Sequence, residues 1–190
     1  MAEESGGLIG SVKDGIVSAI RGVGEITDAV VDTVSGSLIN AVKQTGAMGG
    51  ALTSAISDTV RGAIQGAAEV GGDIGSTAKG AVIGVLRGTK EVGGEAMSTI
   101  TVTAGSVITS TSEVGGDLAS AAKGAVEGAI EGAKDIGVSA EDAAEAAASG
   151  ALEAAGKIST TAVDQVRNAL TGTISGVKVV IKEPFKGGQD

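Results

Sequence analysis

The chain has 190 residues, with one Phe and no Tyr, Trp, His or Cys. Without cysteine there are no disulfides or thiol nucleophiles, and without histidine as well the usual transition-metal ligands and catalytic bases are missing. The formal net charge of −9 disfavours a nucleic-acid partner, which would need a basic face. We therefore predict a non-enzymatic protein with no cofactor, no metal and no nucleic-acid partner.

An internal repeat covers almost the whole sequence. The string E-V-G-G occurs at residues 69–72, 91–94 and 113–116, always 22 residues apart. Between these copies, G-A-V-x-G-x-x-x-G recurs at residues 80–88 and 124–132, so each 22-residue unit divides into two halves of 11. Eleven residues complete about three turns of an α-helix, whereas a strand needs a period of about two. The repeat therefore predicts helix, and we interpret E-V-G-G as a thin place on the surface of a continuous helix.

The predicted elements, in chain order, are a frayed N-terminus at residues 1–7, a helical rod at 8–178 and a non-helical tail at 179–190. Blocks of 11 residues run from Glu3 to Gln189 without an insertion. Pro184 cannot lie inside a helix, and the alternating residues 177–182 are typical of an extended segment. Residues 135–156 are richer in Ala, Glu and Asp, and we interpret them as a hinge or a loosened section of the rod.

Apolar side chains form a nearly unbroken stripe along one side of this helix. The stripe covers an arc of roughly 130°, which is wider than the seam of a two-stranded coiled coil. Charged residues lie mostly on the opposite, solvated side. We predict that the stripe is an interface with other helices or with lipid, formed by Ile16, Ile20, Val30, Val31, Leu38, Val42, Leu52, Ile56, Val60, Ile64, Val70, Ile74, Val82, Val85, Leu86, Val92, Met97, Ile100, Val107, Ile108, Val114, Leu118, Val126 and Ile130.

Glycines recur four residues apart along the flank of the stripe. This spacing allows the backbones of two helices to approach closely, a geometry known from membrane helices. Each Gly costs about 1 kcal/mol of helix propensity relative to Ala, so a partner surface must stabilise the helix. The predicted close-packing glycines are Gly62, Gly66, Gly80, Gly84, Gly88, Gly124, Gly128, Gly132, Gly172 and Gly176.

Together these features predict an all-α protein made of one long, nearly straight helix. Residues 8–178 would span roughly 255 Å at about 1.5 Å per residue. The wide stripe favours a parallel homo-oligomer of three or more helices, either a right-handed coiled coil or a helical tube with an apolar lumen. The predicted function is that of a structural scaffold that self-associates through the stripe into a rod, a fibre or a tube.

Two alternatives remain open at the level of sequence. The helix could lie in the surface of a membrane, a lipid droplet or a storage granule, although the negative charge and the scarcity of Phe and Trp disfavour this. The chain could instead fold back near residues 46–50 or 135–156 into an antiparallel bundle, which the absence of proline before Pro184 disfavours. No signal peptide or membrane span is predicted, so the default expectation is a cytoplasmic protein, with membrane association tied to the lipid alternative.

The 11-residue pattern resembles the amphipathic helical repeat proteins. One branch of these is the hendecad coiled coils, and this resemblance implies association into rods, fibres or tubes. The other branch includes the synucleins, perilipins and exchangeable apolipoproteins, with the late-embryogenesis desiccation proteins nearby, and it implies binding to lipid surfaces or desiccation protection. Residues 127–137 are similar to the Gly-, Ala- and Val-rich part of a synuclein, whereas a K-T-K-E-G-V core is absent.

Overall fold

The computed structural model describes residues 2–22, 25–46 and 49–181, with side chains described from residue 6 onward. The helices and strands of this part of the chain are α1 (Ala2–Gly22), α2 (Ile26–Thr45), α3 (Gly50–Glu69), α4 (Ile74–Val92), α5 (Ala96–Glu113), α6 (Leu118–Ile136), α7 (Ala140–Ile158), α8 (Thr160–Leu170), β1 (Gly172–Ile174) and β2 (Val177–Val179). None of the described helices is both long enough and apolar enough to cross a membrane.

The chain forms a bundle of separate helices, so the prediction of one long straight helix is wrong. The parallel coiled coil and the helical tube are wrong with it, because the chain is divided into separate helices that pack against one another. The all-α class is confirmed, and within the described residues a short hairpin at 172–179 is the only addition to the helices. The architecture is a helical bundle, as in the fold-back alternative that the sequence disfavoured. Helix boundaries lie within both ranges named for that alternative, 46–50 and 135–156, and also at other places.

The reason is that E-V-G-G ends helices instead of running through one. After α3, the N–H of Gly72 donates to the carbonyl of Ala67 at 2.8 Å, and the N–H of Gly71 donates to that of Ala68 at 3.2 Å. Gly71 has φ +68°, and this combination is the Schellman motif, which glycine favours because it has no Cβ. The other two copies make the same pair of bonds, with φ of +78° and +68° at their first glycines. Each 22-residue unit is therefore one helix and one turn.

The residue after the two glycines begins the next helix. The carboxylate of Asp73 accepts a hydrogen bond from the N–H of Ser76 at 2.6 Å, which satisfies one of the unpaired donors at the start of α4. Glu95 and Asp117 cap α5 and α6 in the same way. Ser139 caps α7, and Ser159 caps α8. Helix end and helix start are thus encoded side by side at the three E-V-G-G boundaries, whereas Glu25 and Gly49, at the starts of α2 and α3, make no side-chain cap.

The helices are arranged in two layers, with α1, α3, α5 and α7 in one and α2, α4, α6 and α8 in the other. The most extensive contacts join helices two places apart along the chain, which run parallel within a layer. In the described part, substantial helix–helix contacts join only helices one or two places apart. The molecule is therefore a stack in which each helix meets its near neighbours, as in helical-repeat proteins.

A β-hairpin follows the last helix. Ser175 and Gly176 form its two-residue turn with φ of 48° and 82°, as a tight hairpin turn requires. Strand β2 packs against α7 and strand β1 contacts α6, and Ile174, Val177 and Val179 are buried. Residues 2–7, which were predicted as part of a frayed N-terminus, belong to α1. The predicted non-helical tail includes the end of β2, and Pro184 lies outside the described residues.

Candidate interaction surfaces

The predicted apolar stripe lies mostly inside the chain. Eighteen of its 24 residues are buried, and most of them belong to the core between and within the two layers. The other six are half-buried: Ile20, Val70, Ile74, Val92, Met97 and Val114. Among the described residues, only Ile158 and Val180 are large apolar side chains that are exposed. A lipid-bound form would therefore require the helices to separate.

Eight of the ten predicted glycines lie where two helices of one layer meet. A Cβ placed on Gly80 would lie 2.7 Å from the carbonyl oxygen of Thr27 and 2.9 Å from the Cβ of Val30. At such separations no side chain fits without a shift of the backbone of one helix. The eight are Gly62, Gly66, Gly80, Gly84, Gly88, Gly124, Gly128 and Gly132, and all are buried.

The remaining two predicted glycines have another role. Gly172 and Gly176 are exposed in the hairpin, with φ of +114° and +82° and nothing within 4 Å of a Cβ placed on them. Sequence reasoning also missed Gly150 of α7, where an added Cβ would clash with the backbone carbonyl of Thr101 on α5. A 44-residue spacing in the sequence indicates this position, because it relates Gly150 to Ser106 and Gly62.

This 44-residue spacing corresponds to one pair of helices. In the odd-numbered layer it places two small residues, four apart, on successive helices: Ser18 and Gly22, Gly62 and Gly66, Ser106 and Ser110, and Gly150 and Ala154. The pairs on α3, α5 and α7 each face the preceding helix of the layer through at least one member. On α1 the pair is exposed, and nothing lies within 4 Å of a Cβ placed on Gly22. None of the residues that the structure describes covers this face of α1.

Ion pairs give the stack a direction. Five of them join helices of the same layer among the described residues, and in every one the cation belongs to the earlier helix. They are Lys13–Glu69 (2.7 Å), Lys43–Glu91 (3.3 Å), Arg61–Glu113 (2.7 Å), Lys79–Glu131 (2.7 Å) and Arg87–Asp135 (3.3 Å). The glutamates of all three E-V-G-G copies take part. Partly exposed pairs contribute only about 0–1 kcal/mol each, so their main effect is on register and direction.

The pKa values follow from this pairing. The hydrogen bond to Glu69 raises the pKa of Lys13, and the same bond lowers the pKa of Glu69. The hydrogen bond to Glu131 raises the pKa of Lys79. The cations of these pairs therefore lie on the sides of α1 to α4 that face the later helices, and the acids lie on the sides of α3 to α6 that face the earlier ones.

A groove of about 380 Å³ runs over α5 on the outside of the odd-numbered layer. Hydroxyl groups dominate its floor, and charged side chains of α3 and α7 form its walls. Its lining residues are Ser57, Asp58, Arg61, Thr101, Val102, Gly105, Ser106, Thr109, Ser110, Gly150, Glu153, Ala154 and Lys157. Within the described chain, no group of three or more acidic side chains is placed to hold a metal ion.

No protein-family model matches this chain, and no curated protein sequence matches it. The fold defines the class of this protein as an all-α helical-repeat bundle with two layers of parallel helices. Its candidate surfaces are the uncovered end, the directional ion pairs and the groove.

Proposed function

We propose that the protein is a non-enzymatic structural scaffold that self-associates head to tail, continuing its helix stack from one copy to the next. The direction of the ion pairs carries this proposal. Inside the chain, acids of α3 to α6 meet cations of the helix two places earlier, and a second copy placed in the same direction would continue that arrangement.

The uncovered end supplies the receiving surface. Ser18 and Asp14 lie on the side of α1 away from α3, because they are two residues from Ile16, which contacts Gly66. Asp32 and Gly36 occupy the corresponding side of α2, two residues from Val34, and nothing lies within 4 Å of a Cβ placed on Gly36. This end offers small and acidic residues, as do the later helices at their contacts with earlier ones.

The charges at the two ends of the chain are complementary. Residues 1–45 contain six acidic and three basic residues, whereas residues 157–190 contain five basic and three acidic residues. Lys13 and Lys43 already pair with α3 and α4, which leaves the first helix pair more acidic at its outer face. A head-to-tail contact uses two different surfaces, so it extends into a fibre wherever the rotation between copies does not close a ring.

Sedimentation velocity over a range of protein concentrations, at low and at high salt, tests the proposal. We expect a concentration-dependent series of oligomers that shrinks as salt screens the end charges. Replacing Asp14 and Asp32 with Lys should weaken association about tenfold, and so should Lys178→Glu. Lys123→Glu changes an exposed lysine in the middle of the stack and serves as the control.

A mixture of the two charge-reversed proteins is the decisive test of the head-to-tail contact. Each alone should remain small, and the mixture should associate because the acidic and basic surfaces are exchanged. A monomer at every concentration and salt would overturn the proposed function. Association whose strength is unchanged by these substitutions would overturn the proposed head-to-tail contact.

A further inference from the structure

The hydroxyl groups of α5 are more numerous than packing requires. The contact with α3 needs only small residues at Ser106 and Ser110, since Gly and Ala stand at the corresponding positions of α3 and α7. Thr101 and Thr109 have no hydroxyl counterpart on α7, where the 44-residue spacing leads to Glu145 and Glu153. These hydroxyl groups gather in the groove over α5 instead.

We infer that the groove over α5 binds a neutral ligand rich in hydroxyl groups, such as a mono- or disaccharide. The volume of about 380 Å³ lies in the range of small-molecule sites. This inference goes beyond the proposed scaffold function and does not depend on it.

The hydrogen-bond donors and acceptors that remain available on the groove floor favour this class of ligand. Thr101 donates its proton to the carbonyl of Met97 at 3.1 Å, and Thr109 donates to that of Gly105 at 3.1 Å, so both hydroxyl oxygens are left to accept. The hydroxyls of Ser57 and Ser106 lie 3.0 Å apart, and whichever accepts in that bond keeps its own proton to donate. A sugar offers several hydroxyls that each donate and accept, whereas inorganic phosphate near neutral pH has at most two protons to donate and an ammonium group only donates.

The charges of the walls cancel. The groove contains two acids and two bases: Asp58, Glu153, Arg61 and Lys157. Arg61 is paired with Glu113 at 2.7 Å, and Lys157 is paired with Glu153 at 2.8 Å. An anion would have to displace these carboxylates, whereas a neutral polyol can add hydrogen bonds to the existing pairs. Because the lining has no aromatic ring for a sugar to stack on, we expect millimolar affinity.

Titration of the ¹⁵N-labelled protein with glucose, maltose and inorganic phosphate, followed by amide chemical shifts, tests the inference. We expect saturable shifts confined to the amides of the lining residues with the sugars, and none there with phosphate. The double variant Thr101→Val, Thr109→Val should raise the sugar dissociation constant at least tenfold. Thr53→Val is the matched control, since Thr53 is exposed outside the groove and also donates to a carbonyl four residues earlier.

Thermal unfolding of both variants establishes that each is folded before titration. Shifts that rise linearly over the whole surface would overturn the inference, as would an unchanged dissociation constant in the double variant. Binding of phosphate at the same amides would assign the groove to anions and would also overturn it.

Discussion

Gly84 of α4 packs against Val34 of α2 so closely that a Cβ on the glycine would lie 2.9 Å from the Val34 Cβ and 2.8 Å from the carbonyl oxygen of Val31. Two backbones therefore approach at a place where no side chain intervenes. Contacts of this kind recur along both layers, between residues about 50 positions apart in the sequence. They explain how a chain with so few large side chains packs into a dense core.

The variant Gly84→Ala should destabilise the protein by about 1–3 kcal/mol, because the added methyl group forces two helices apart and this outweighs the gain in helix propensity. Gly10→Ala is the matched control, since Gly10 is also helical and nothing lies within 4 Å of a Cβ placed there. That change should stabilise by about 1 kcal/mol. Urea unfolding measures both. Equal stability of the two variants would contradict the close approach.

The variant Gly93→Ala tests the turn. Gly93 ends α4 with φ +78°, where an L-residue with a Cβ is strained. We expect a loss of about 1–2 kcal/mol for Ala, and a smaller loss for Gly93→Asn, because asparagine tolerates this region better. Thermal unfolding of the two variants shows which of them loses more stability. If Ala were tolerated as well as Asn, a left-handed helix end at this position would be ruled out.

Stability should fall at acidic pH through the helix caps. The hydrogen bond from the backbone N–H of Ser76 lowers the pKa of Asp73, and the bond from the Ser120 hydroxyl lowers the pKa of Asp117. A carboxylate whose folded pKa is depressed contributes stability that is present above its unfolded pKa, about 3.9, and is lost as pH falls through the folded value. The unfolding free energy should therefore decline below about pH 4.

Asp73→Asn isolates this effect. Asparagine caps a helix about as well as aspartate, so stability at pH 7 should change little, while the decline at low pH should become smaller. Urea unfolding between neutral pH and pH 2 provides the comparison. An unchanged decline in the variant would show that this cap does not contribute to the pH dependence.

Buried hydroxyls that lack a hydrogen-bond partner offer a stabilising change. The hydroxyl oxygens of Thr59 and Thr111 are buried and unpaired. Replacing either Thr with Val keeps the shape and removes the cost of desolvation, so each variant should gain about 1 kcal/mol. Thr103→Val is the control, because the Thr103 hydroxyl donates to the carbonyl of Thr99 at 2.6 Å. The control should gain nothing, and a loss of stability at Thr59 or Thr111 would refute the assignment.

Several parts of this fold could be predicted from the sequence because they depend on local periodicity. The 11-residue pattern identifies helix, and it selects residues such as Ile64 and Val82, which are fully buried. The same pattern could not reveal the turns, because one helix and its turn together span two 11-residue blocks and the register continues unbroken. A local signal did exist: in E-V-G-G-D and E-V-G-G-E, a helix-ending glycine pair is followed at once by a capping acid such as Asp73. The glycines alone are compatible with a continuous helix, and only the capping acid after them indicates a new start.

The candidate surfaces were harder to predict. Lys79 and Glu131 are 52 residues apart, and no pattern within a single helix pairs them. The groove likewise joins Ser57 of α3 to Lys157 of α7 across α5. Their proximity follows from which helices become neighbours, and that choice requires the chain to have turned.

By itself, the amino-acid sequence determined that the chain is helical, which side of each helix is apolar and where small residues lie along it, because these properties arise within a few turns of backbone. Only the tertiary structure decided whether the apolar side is buried within the chain or left for another molecule. Two glycines can continue a helix or end it, and the difference in local free energy is about 1 kcal/mol per residue. Burial against neighbouring helices outweighs that difference, and it depends on contacts about 50 residues away.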